Sequence, residues 1–471
     1  MTTPRLCVIG DTLLDIDWEG EVRRVCRDSP APVVDAPTER SRPGGAGLSA
    51  VLAAEAGAQV TLVTALSDDD DGRRVAQLLA RAGVAIVDLG LPGPTPVKLR
   101  LRSSAQSLAR VDRGCEPVVP PGPWTRAAAA AAADADAILV SDYGRGIAAL
   151  PAVVGGAPGG DQGPPVVWDP HSAGPVPPAA AALVTPNESE ACLLAGSPTS
   201  ASTGGSVPAL VDLAITLAAR LGCAVAVTAG ERGAVLVERG RLPVVVPTPP
   251  AQGDVCGAGD AFATRAALVL AGGGSRRQSV EAGVAAAHDF VAGRAGAGSR
   301  AWPEPAGEAD GGTVVPLAVA AGPASSGRAT RRSGGVVVAA GGCFDVLHAG
   351  HVRLLEHARG LGDHLVVLLN GDDSVRRLKG PGRPLNTLED RAAVLRSLAC
   401  VDDVIAFDEA TPCSALADLR PHLFVKGADY EGADLEEREV MARWGGQVVL
   451  VPLVEGRSTT RLIHIAAAAG A

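Results

Sequence analysis

The sequence predicts an α/β protein of two domains joined by a linker. Short apolar runs alternate with helical stretches, several of those runs end in a glycine turn, and residues 303–334 are rich in Pro, Gly, Ala and Ser. Strands that alternate with helices indicate parallel sheets covered by helices. At 471 residues the chain is too long for one ordinary domain. We therefore predict domains at 1–302 and 335–471, separated by that linker.

The composition predicts a soluble, cytoplasmic protein that binds neither nucleic acid nor membranes. Its formal net charge of −10 opposes nonspecific binding to polyanions. No stretch approaches the roughly 20 uninterrupted apolar residues of a membrane span. The nine cysteines are scattered without a Cys-x-x-Cys pair, which favours a reducing compartment. We also expect no metal site made directly from a side-chain cluster.

Polar residues follow the strands of the first domain where each strand ends. The first apolar strand ends at Asp11, and two later ones lead into Asp142 and Asn187. A Gly44-Gly45 turn opens an Ala-rich helix and lets a ligand hydroxyl approach the backbone closely. Parallel sheets bind ligands at the carboxyl ends of their strands, so these residues predict a binding cleft.

Two short strands at 96–102 and 107–112 predict a hairpin that carries Lys98 and several arginines. A basic hairpin over a sugar site would hold a substrate phosphate. A solvated edge hairpin is the alternative, and the pattern leaves both open.

The strongest signal of the first domain is Gly-Ala-Gly-Asp at 257–260, directly before a helix predicted at 261–271. The small residues leave their N–H groups free to hold a transferring phosphoryl group. Asp260 stands at the helix start, where it can accept a hydroxyl proton. The alternative is that Asp260 is only a helix N-terminal carboxylate.

Five apolar runs predict a small, doubly wound second domain. They lie at 336–340, 365–369, 404–407, 423–425 and 448–451. The first run leads into the glycine turn of Gly342–His351 and then into a helix predicted at 352–361. Strand, glycine turn and helix together form a phosphate-receiving arrangement, with His348 and His351 at its mouth. A metal-binding pair or two surface histidines are the alternatives.

Lysine is rare in this chain. Of 42 basic residues only Lys98, Lys379 and Lys426 are lysines, and all three fall in motif-like stretches. A compact ammonium rather than a planar guanidinium is expected to be needed there. Plain surface charges are the alternative.

The first domain resembles the ribokinase-like carbohydrate kinases. The motifs Gly44-Gly45, Asn187-x-x-Glu190, Thr228-x-Gly230-x-x-Gly233 and Gly257-Ala258-Gly259-Asp260 occur in that family's order. The resemblance implies a parallel central sheet with a small β lid, Asp260 as catalytic base and Gly257, Ala258 and Gly259 as anion hole. It implies a site for ATP with Mg²⁺ at Asn187, Glu188, Ser189, Glu190, Thr228, Gly230 and Gly233. It implies sugar contacts from Asp11, Gly44, Gly45, Lys98 and Asp142, and leaves a monovalent cation open.

The second domain resembles the cytidylyltransferase-like nucleotidyltransferases through Cys-Phe-Asp-Val-Leu-His-Ala-Gly-His at 343–351. The resemblance implies a smaller Rossmann-like domain that transfers a nucleoside monophosphate from a triphosphate to a sugar phosphate. It implies catalytic roles for His348, His351 and Lys426. It implies ATP contacts from Cys343, Phe344, Asp345, Lys379, Arg457, Ser458 and Thr459.

The two halves in this order resemble a family of bifunctional enzymes of ADP-heptose biosynthesis. The resemblance implies phosphorylation of D-glycero-D-manno-heptose 7-phosphate at the anomeric hydroxyl to the 1,7-bisphosphate. After another enzyme removes the 7-phosphate, adenylyl transfer from ATP to heptose 1-phosphate would give ADP-heptose and pyrophosphate. It also implies a homodimer.

Three positions depart from the pattern of that family. Leu48, Cys256 and Gly341 stand where the family usually carries Asn, Thr and Asn. The alternatives are therefore another sugar phosphate, another nucleotide such as CTP, or a first domain that only binds sugar phosphate.

Overall fold

The computed structural model describes residues 3–27, 31–103, 106–155, 163–196, 205–251, 253–294, 334–427 and 436–452. These residues fall into two compact units. The first draws on residues 1–201, 216–234 and 248–303, and the second on residues 202–215, 235–247 and 304–471. Except for Gly334, the predicted linker lies outside the described residues, so the domain boundaries stay a prediction.

The first unit contains two sheets. Its strands are β1 (Arg5–Gly10), β2 (Thr12–Val25), β3 (Pro32–Gly45), β4 (Gln59–Thr64), β5 (Ala85–Asp88), β6 (Val97–Ser103), β7 (Gln106–Arg113), β8 (Ala137–Ser141), β9 (Val166–Asp169), β10 (Leu183–Val184) and β11 (Val225–Thr228). Seven of them form a parallel sheet in the order β5-β4-β1-β8-β9-β10-β11. Both faces of a parallel sheet are covered, so its strands are apolar throughout. Accordingly Leu6, Val8 and Ile9 are at most 1% exposed.

The second sheet of this unit is the β lid. It has four strands in the order β3-β2-β6-β7, and β2 runs antiparallel to β3 and parallel to β6. The hairpin predicted from the basic segment is confirmed as β6 and β7. The ribokinase-like architecture of a parallel sheet with a small lid is therefore confirmed.

The helices of the first unit and of its boundary segments are α1 (Ala46–Glu55), α2 (Asp70–Arg81), α3 (Arg126–Ala133), α4 (Pro151–Val154), α5 (Glu188–Ala195), α6 (Val207–Leu221), α7 (Ala258–Ala271) and α8 (Arg276–Val291). Side-chain caps fix several of their starts. Asp69 accepts a bond from the N–H of Gly72 at α2, and Ser275 and Gln278 form a capping box at α8. Helix α7 begins three residues before the predicted start because Gly257, at φ 104°, serves as its N-cap.

Six strands of the second unit pair in parallel, and a seventh lies beside them. Its strands are β12 (Ala234–Val237), β13 (Val244–Val246), β14 (Val337–Gly342), β15 (His364–Asn370), β16 (Asp403–Phe407), β17 (Leu423–Gly427) and β18 (Gln447–Val451). The order is β16-β15-β14-β17-β18-β13-β12. The five strands predicted for this half are confirmed. Val244 pairs with Leu450, so the segment at 235–247 extends the predicted five-stranded sheet.

Five helices pack on that sheet: α9 (Ala349–Gly360), α10 (Asp372–Lys379), α11 (Leu388–Arg396), α12 (Cys413–Leu419) and α13 (Glu436–Ala442). The core joins Val366 and Phe424 of the sheet to Leu416 and Met441 of the helices. Helix α9 begins at Ala349, so the predicted start at 352 is wrong by three residues. His348 in extended conformation is its N-cap, which places His351 in the first turn. No helix among the described residues is both long and apolar enough to cross a membrane.

Candidate active sites

Asp260 lies in the first turn of α7 and is only 5% exposed. Its carboxylate accepts hydrogen bonds from two hydroxyl groups that come from other elements. Ser49 Oγ of α1 donates to Oδ1 at 2.9 Å, and the Tyr143 hydroxyl lies 3.0 Å from Oδ1 and 2.8 Å from Oδ2. The carboxylate is therefore fixed in one orientation at the start of the helix.

The glycine turn before Asp260 has no room for a side chain at its first position. A Cβ on Gly257 would lie 2.8 Å from Phe290 Cζ and 2.9 Å from Leu48 Cδ2, and the residue has φ 104°. A Cβ on Gly259 would meet open space. Leu48, one of the three departures, thus packs beside the predicted anion hole and makes that wall apolar.

The pKa of the Asp260 carboxyl is higher than is usual for an aspartate. Burial raises its pKa to about 6, and the nearby Asp15 carboxylate acts in the same direction. The hydrogen bonds from Tyr143 and Ser49 stabilise the ionised form and oppose that rise. A carboxylate with a pKa just below neutrality can accept a proton during turnover and release it afterwards.

Two of the predicted sugar residues, Asp11 and Asp142, have carboxyl groups that already accept hydrogen bonds from the backbone. Asp11 accepts bonds from the backbone N–H groups of Tyr143, Arg145 and Ile147 at 2.9–3.3 Å. These bonds to a buried carboxylate hold the loop after β8 in place. Asp142 accepts from the N–H of Gly144 at 2.8 Å, and burial raises its pKa to about 6.

The remaining predicted sugar residues belong to the lid strands β3 and β6. A Cβ on Gly44 would lie 2.6 Å from Asp15 Oδ2, so this glycine lets the backbone approach that carboxylate. Gly45, at φ 64°, lies against the Tyr143 ring. Lys98 Nζ is 5.8 Å from the centroid of the same ring.

An ion-pair cluster that the sequence interpretation did not assign joins the lid to this site. Asp15 is 5% exposed, and its Oδ1 accepts from Arg100 Nη1 at 2.8 Å. Arg42 Nε lies 3.8 Å from its other oxygen. The second Arg100 nitrogen donates to Cys256 Sγ at 3.4 Å. Cys256, the second departure, is therefore a contact between the lid and the anion-hole turn.

The residues predicted to bind ATP and Mg²⁺ lie at the start of α5 and after β11. Asn187 and Glu190 form a reciprocal capping box with two bonds of 3.0 Å. Glu188 pairs with Arg232. The exposed Ser189 lies in the first turn of α5, and Thr228 forms a parallel bridge with Asn187. Gly230 and Gly233 take φ values of 56° and 80°, which favour glycine.

Asp169, at the end of β9, belongs to the same region although it was not among the predicted site residues. Burial raises its pKa well above the usual value, and the charges of Asp260 and Glu190 raise it further. Its Oδ1 accepts from Thr185 Oγ1 at 2.9 Å. The region thus concentrates negative charge, which a cation would relieve.

The second site lies at the start of α9. The imidazole rings of His348 and His351 are stacked with centroids 3.9 Å apart, and the Phe344 ring packs edge-on to His351 at 5.3 Å. Burial, together with the charges of His348 and Lys379, lowers the pKa of His351 to about 4. His351 is therefore neutral at physiological pH and acts as a hydrogen-bonding group rather than a cation.

The two predicted lysines of this half differ in their surroundings. Lys379 ends α10 and is exposed, yet it is close enough to affect the pKa of both His351 and Cys343. Lys426 is the penultimate residue of β17, and its Nζ lies 2.8 Å from Oε1 of the buried Glu437. The same ammonium lies 5.6 Å from the centroid of the Phe424 ring. Lys426 is thus positioned by α13.

The turn between β14 and α9 is held by polar contacts from other elements. Asp345 is 4% exposed, accepts from Arg383 Nη1 at 2.5 Å, and accepts from the N–H of Leu385 at 2.6 Å. Burial opposes ionisation of Asp345, but these donors hold its pKa below the usual value. Asp345 therefore shapes the turn. Gly341, the third departure, lies at the end of β14, where a Cβ would come 3.1 Å from the Phe424 ring.

Arg391 is the anchor of this turn and was not among the predicted site residues. It is 2% exposed and donates to the carbonyls of Cys343 and Asn370 at 2.6 and 2.8 Å. It also donates to Asp372 Oδ1 at 2.7 Å. The Cys343 thiol in turn lies 3.8 Å from Asn370 Oδ1. One guanidinium thus ties the glycine turn to the starts of α10 and α11.

We expect the Arg391→Met variant to lose roughly 3 kcal/mol of unfolding free energy in the second unit, because it leaves buried carbonyl oxygens unpaired. Urea unfolding followed by loss of nucleotidyltransferase activity measures this. Arg353→Met is the control, since Arg353 is exposed on α9. Equal stability of the two variants would contradict the anchoring role.

Some predictions lie beyond the described residues. Arg457, Ser458 and Thr459, predicted to contact ATP, are in that part of the chain, and their roles stay predictions. Within the described residues no group of three or more His, Cys, Asp or Glu side chains is arranged to hold a metal ion.

Comparison with known proteins matches both halves. The model of the cytidylyltransferase-like family covers residues 339–463, and that of the pfkB family of carbohydrate kinases covers residues 3–111 and 165–304. A ribokinase structure from Thermotoga maritima is 20% identical, with a TM-score of 0.47, over 63% of this chain and 95% of that one.

Full-length relatives match the chain from end to end. The bifunctional protein HldE of Streptomyces coelicolor is 46% identical over 468 residues, covering 98% of this chain and 96% of that protein. HldE of Gluconobacter oxydans is 38% identical over 477 residues, covering 98% of this chain and 97% of that protein. The chain therefore belongs to the family of bifunctional HldE proteins, joining a pfkB-family carbohydrate kinase to a cytidylyltransferase-like nucleotidyltransferase.

Proposed function

We propose that the first unit phosphorylates D-glycero-D-manno-heptose 7-phosphate at its anomeric hydroxyl with ATP. The second unit then transfers AMP from ATP to heptose 1-phosphate, giving ADP-heptose and pyrophosphate. The observation that carries the proposal is a pair of glycine turns that each open a helix. One presents the buried Asp260 carboxylate, and the other presents the stacked His348 and His351.

In the kinase step the anomeric oxygen attacks the γ-phosphorus of ATP and its proton passes to Asp260. The bond between the γ-phosphorus and the bridging oxygen breaks, and ADP leaves with that electron pair. The N–H groups of residues 257–259 neutralise charge on the transferring phosphoryl. Lys98 and Arg42 provide positive charge on the lid side for the sugar phosphate.

Magnesium carried by ATP fits the charge of the first site. Mg²⁺ is usually held by one or two carboxylates together with substrate phosphates. Asp169 and Glu190 offer such oxygens, and burial raises the pKa of both groups, an effect that a nearby cation would offset. When bound, the ion neutralises charge on the β- and γ-phosphates. A monovalent cation in this unit stays a prediction.

In the adenylyl step an oxygen of heptose 1-phosphate attacks the α-phosphorus of ATP, and pyrophosphate leaves with the electron pair. No covalent enzyme intermediate is needed. His348 and His351 donate hydrogen bonds to the phosphates, while Lys379 and Lys426 supply positive charge. Cys343 and Phe344 form the wall of the turn, and Asp345 keeps its shape.

Turnover of the purified protein tests the proposal. We expect ADP release with heptose 7-phosphate and ATP, and pyrophosphate release only when heptose 1-phosphate and ATP are supplied. Other sugar phosphates and CTP serve as competitors, because Leu48 and Gly341 differ from the resembled pattern. Faster turnover with any of these would overturn the assigned substrate.

We further propose a cytoplasmic homodimer formed through the lid. Trp18, Val22 and Val25 of β2 and Leu108 and Val111 of β7 are apolar and at least 36% exposed. Exposed apolar groups concentrated on one small sheet are typical of an interface. Sedimentation of the Val25→Asp, Val111→Asp double variant is expected to give a monomer, and an unchanged mass would contradict this interface.

A further inference from the structure

Tyr143 occupies a position in the kinase site that the mechanism above does not use. Its hydroxyl is within 3.0 Å of both Asp260 oxygens, while its ring lies close to Gly45 and 5.8 Å from the Lys98 ammonium. Burial and the charge of Asp260 raise the pKa of the Tyr143 phenol well above its usual value. The phenol is therefore protonated throughout the working range and can only donate to the carboxylate.

The loop that carries Tyr143 is itself fixed. Three of its N–H groups, at residues 143, 145 and 147, donate to the buried Asp11 carboxylate. The backbone that carries the Tyr143 side chain is thus held in place by a buried carboxylate.

We propose that Tyr143 is a positioning residue of the kinase reaction that orients the Asp260 carboxylate and keeps it ionised. The inference rests on Asp260 being the base, as proposed above. Two hydroxyl groups, those of Ser49 and Tyr143, lie within hydrogen-bond distance of Oδ1, whereas only that of Tyr143 lies within this distance of Oδ2. The geometry points to Oδ2 as the oxygen that takes the anomeric proton when the sugar oxygen bonds to phosphorus and ADP departs.

Other charged groups also act on this carboxylate and set the background for a pH measurement. Asp15 of β2 disfavours its ionised form and Arg42 of β3 favours it, while the charge of Asp260 in turn raises the pKa of Asp169 of β9. None of these is altered by removing the phenolic oxygen. A change in the apparent acidity of Asp260 in Tyr143→Phe therefore reports the lost hydrogen bond.

The test is the kinase pH profile of the full-length Tyr143→Phe variant. We expect kcat to fall at least about 10-fold with little change in KM for ATP, and the acid limb to move up by about one pH unit. The limb moves up because loss of a donor to the ionised form raises the Asp260 pKa. An unchanged acid limb, with or without a lower kcat, would overturn the proposal.

A spectroscopic measurement covers the case in which that variant folds poorly. The chain contains only two tyrosines, so 3-fluorotyrosine labelling gives two ¹⁹F resonances. We expect the Tyr143 resonance to titrate with a midpoint at about pH 6, following Asp260, and this titration to vanish in Asp260→Asn. Loss of kinase activity in Asp260→Asn tests the base itself, so the two ideas fail separately. If the chemical shifts of both resonances do not change between pH 5 and 7, the proposed role of Tyr143 is also overturned.

Discussion

Replacing Asp260 with asparagine is expected to lower kinase turnover by about 10²- to 10⁴-fold, the usual contribution of a general base. The amide keeps the shape and can still bond to Ser49 and Tyr143, but it cannot take the anomeric proton. KM for ATP is expected to change little, because the anion-hole N–H groups are untouched. ADP release with heptose 7-phosphate measures the loss.

Two controls make that result specific to a base. Asp70 also lies in the first turn of a helix, yet its side chain is fully exposed. Asp70→Asn is expected to keep full kinase activity, which separates a base from a carboxylate that merely favours a helix start. Pyrophosphate release by the second unit should be unchanged in both variants. An Asp260→Asn protein with full kinase turnover would contradict the assignment.

What the sequence predicted well was local in the chain. Asp260 and the pair His348 and His351 each stand next to the glycine turn and the helix that position them, so one short segment carries the whole signal. The fold followed for a similar reason. A continuous apolar run such as that of β15 is buried on both faces of a parallel sheet. This holds whichever strands lie beside it.

What the sequence did not reveal depends on contacts between distant segments. Ser49 is 211 residues from Asp260, and Tyr143 is 117 residues from it. Nothing in the local pattern distinguishes such a serine from other serines in an Ala-rich helix. Arg391 is a similar case, because an arginine on a helix is usually exposed, and only the packing of α11 buries this one.

Lys426 shows how the structure refines a prediction without testing it. Because lysine is rare in this chain, the sequence predicted that a compact ammonium is needed at this position. The structure adds Glu437 at 2.8 Å, a partner on α13 that is 5% exposed. A buried carboxylate at this distance limits the motion of the Lys426 ammonium.

The second large effect is expected at His348. Replacement with asparagine should lower nucleotidyltransferase turnover by about 10²- to 10³-fold, the usual cost of removing one group that stabilises transition-state charge. His348 is the N-cap residue of α9 and stacks on His351, so it lies at the helix N-terminus, where we propose that the triphosphate binds. Pyrophosphate release with heptose 1-phosphate and ATP measures the loss.

The control uses another histidine of the same helix. His357 lies in the last turn of α9, away from the glycine turn, and His357→Asn is expected to keep nucleotidyltransferase activity. Kinase turnover in His348→Asn should equal that of the parent protein. Because the pKa of His351 is about 4, turnover should also be flat between pH 6 and 8 as far as this imidazole is concerned. Full activity of His348→Asn would show that phosphate charge is neutralised elsewhere, by the lysines at the strand and helix ends.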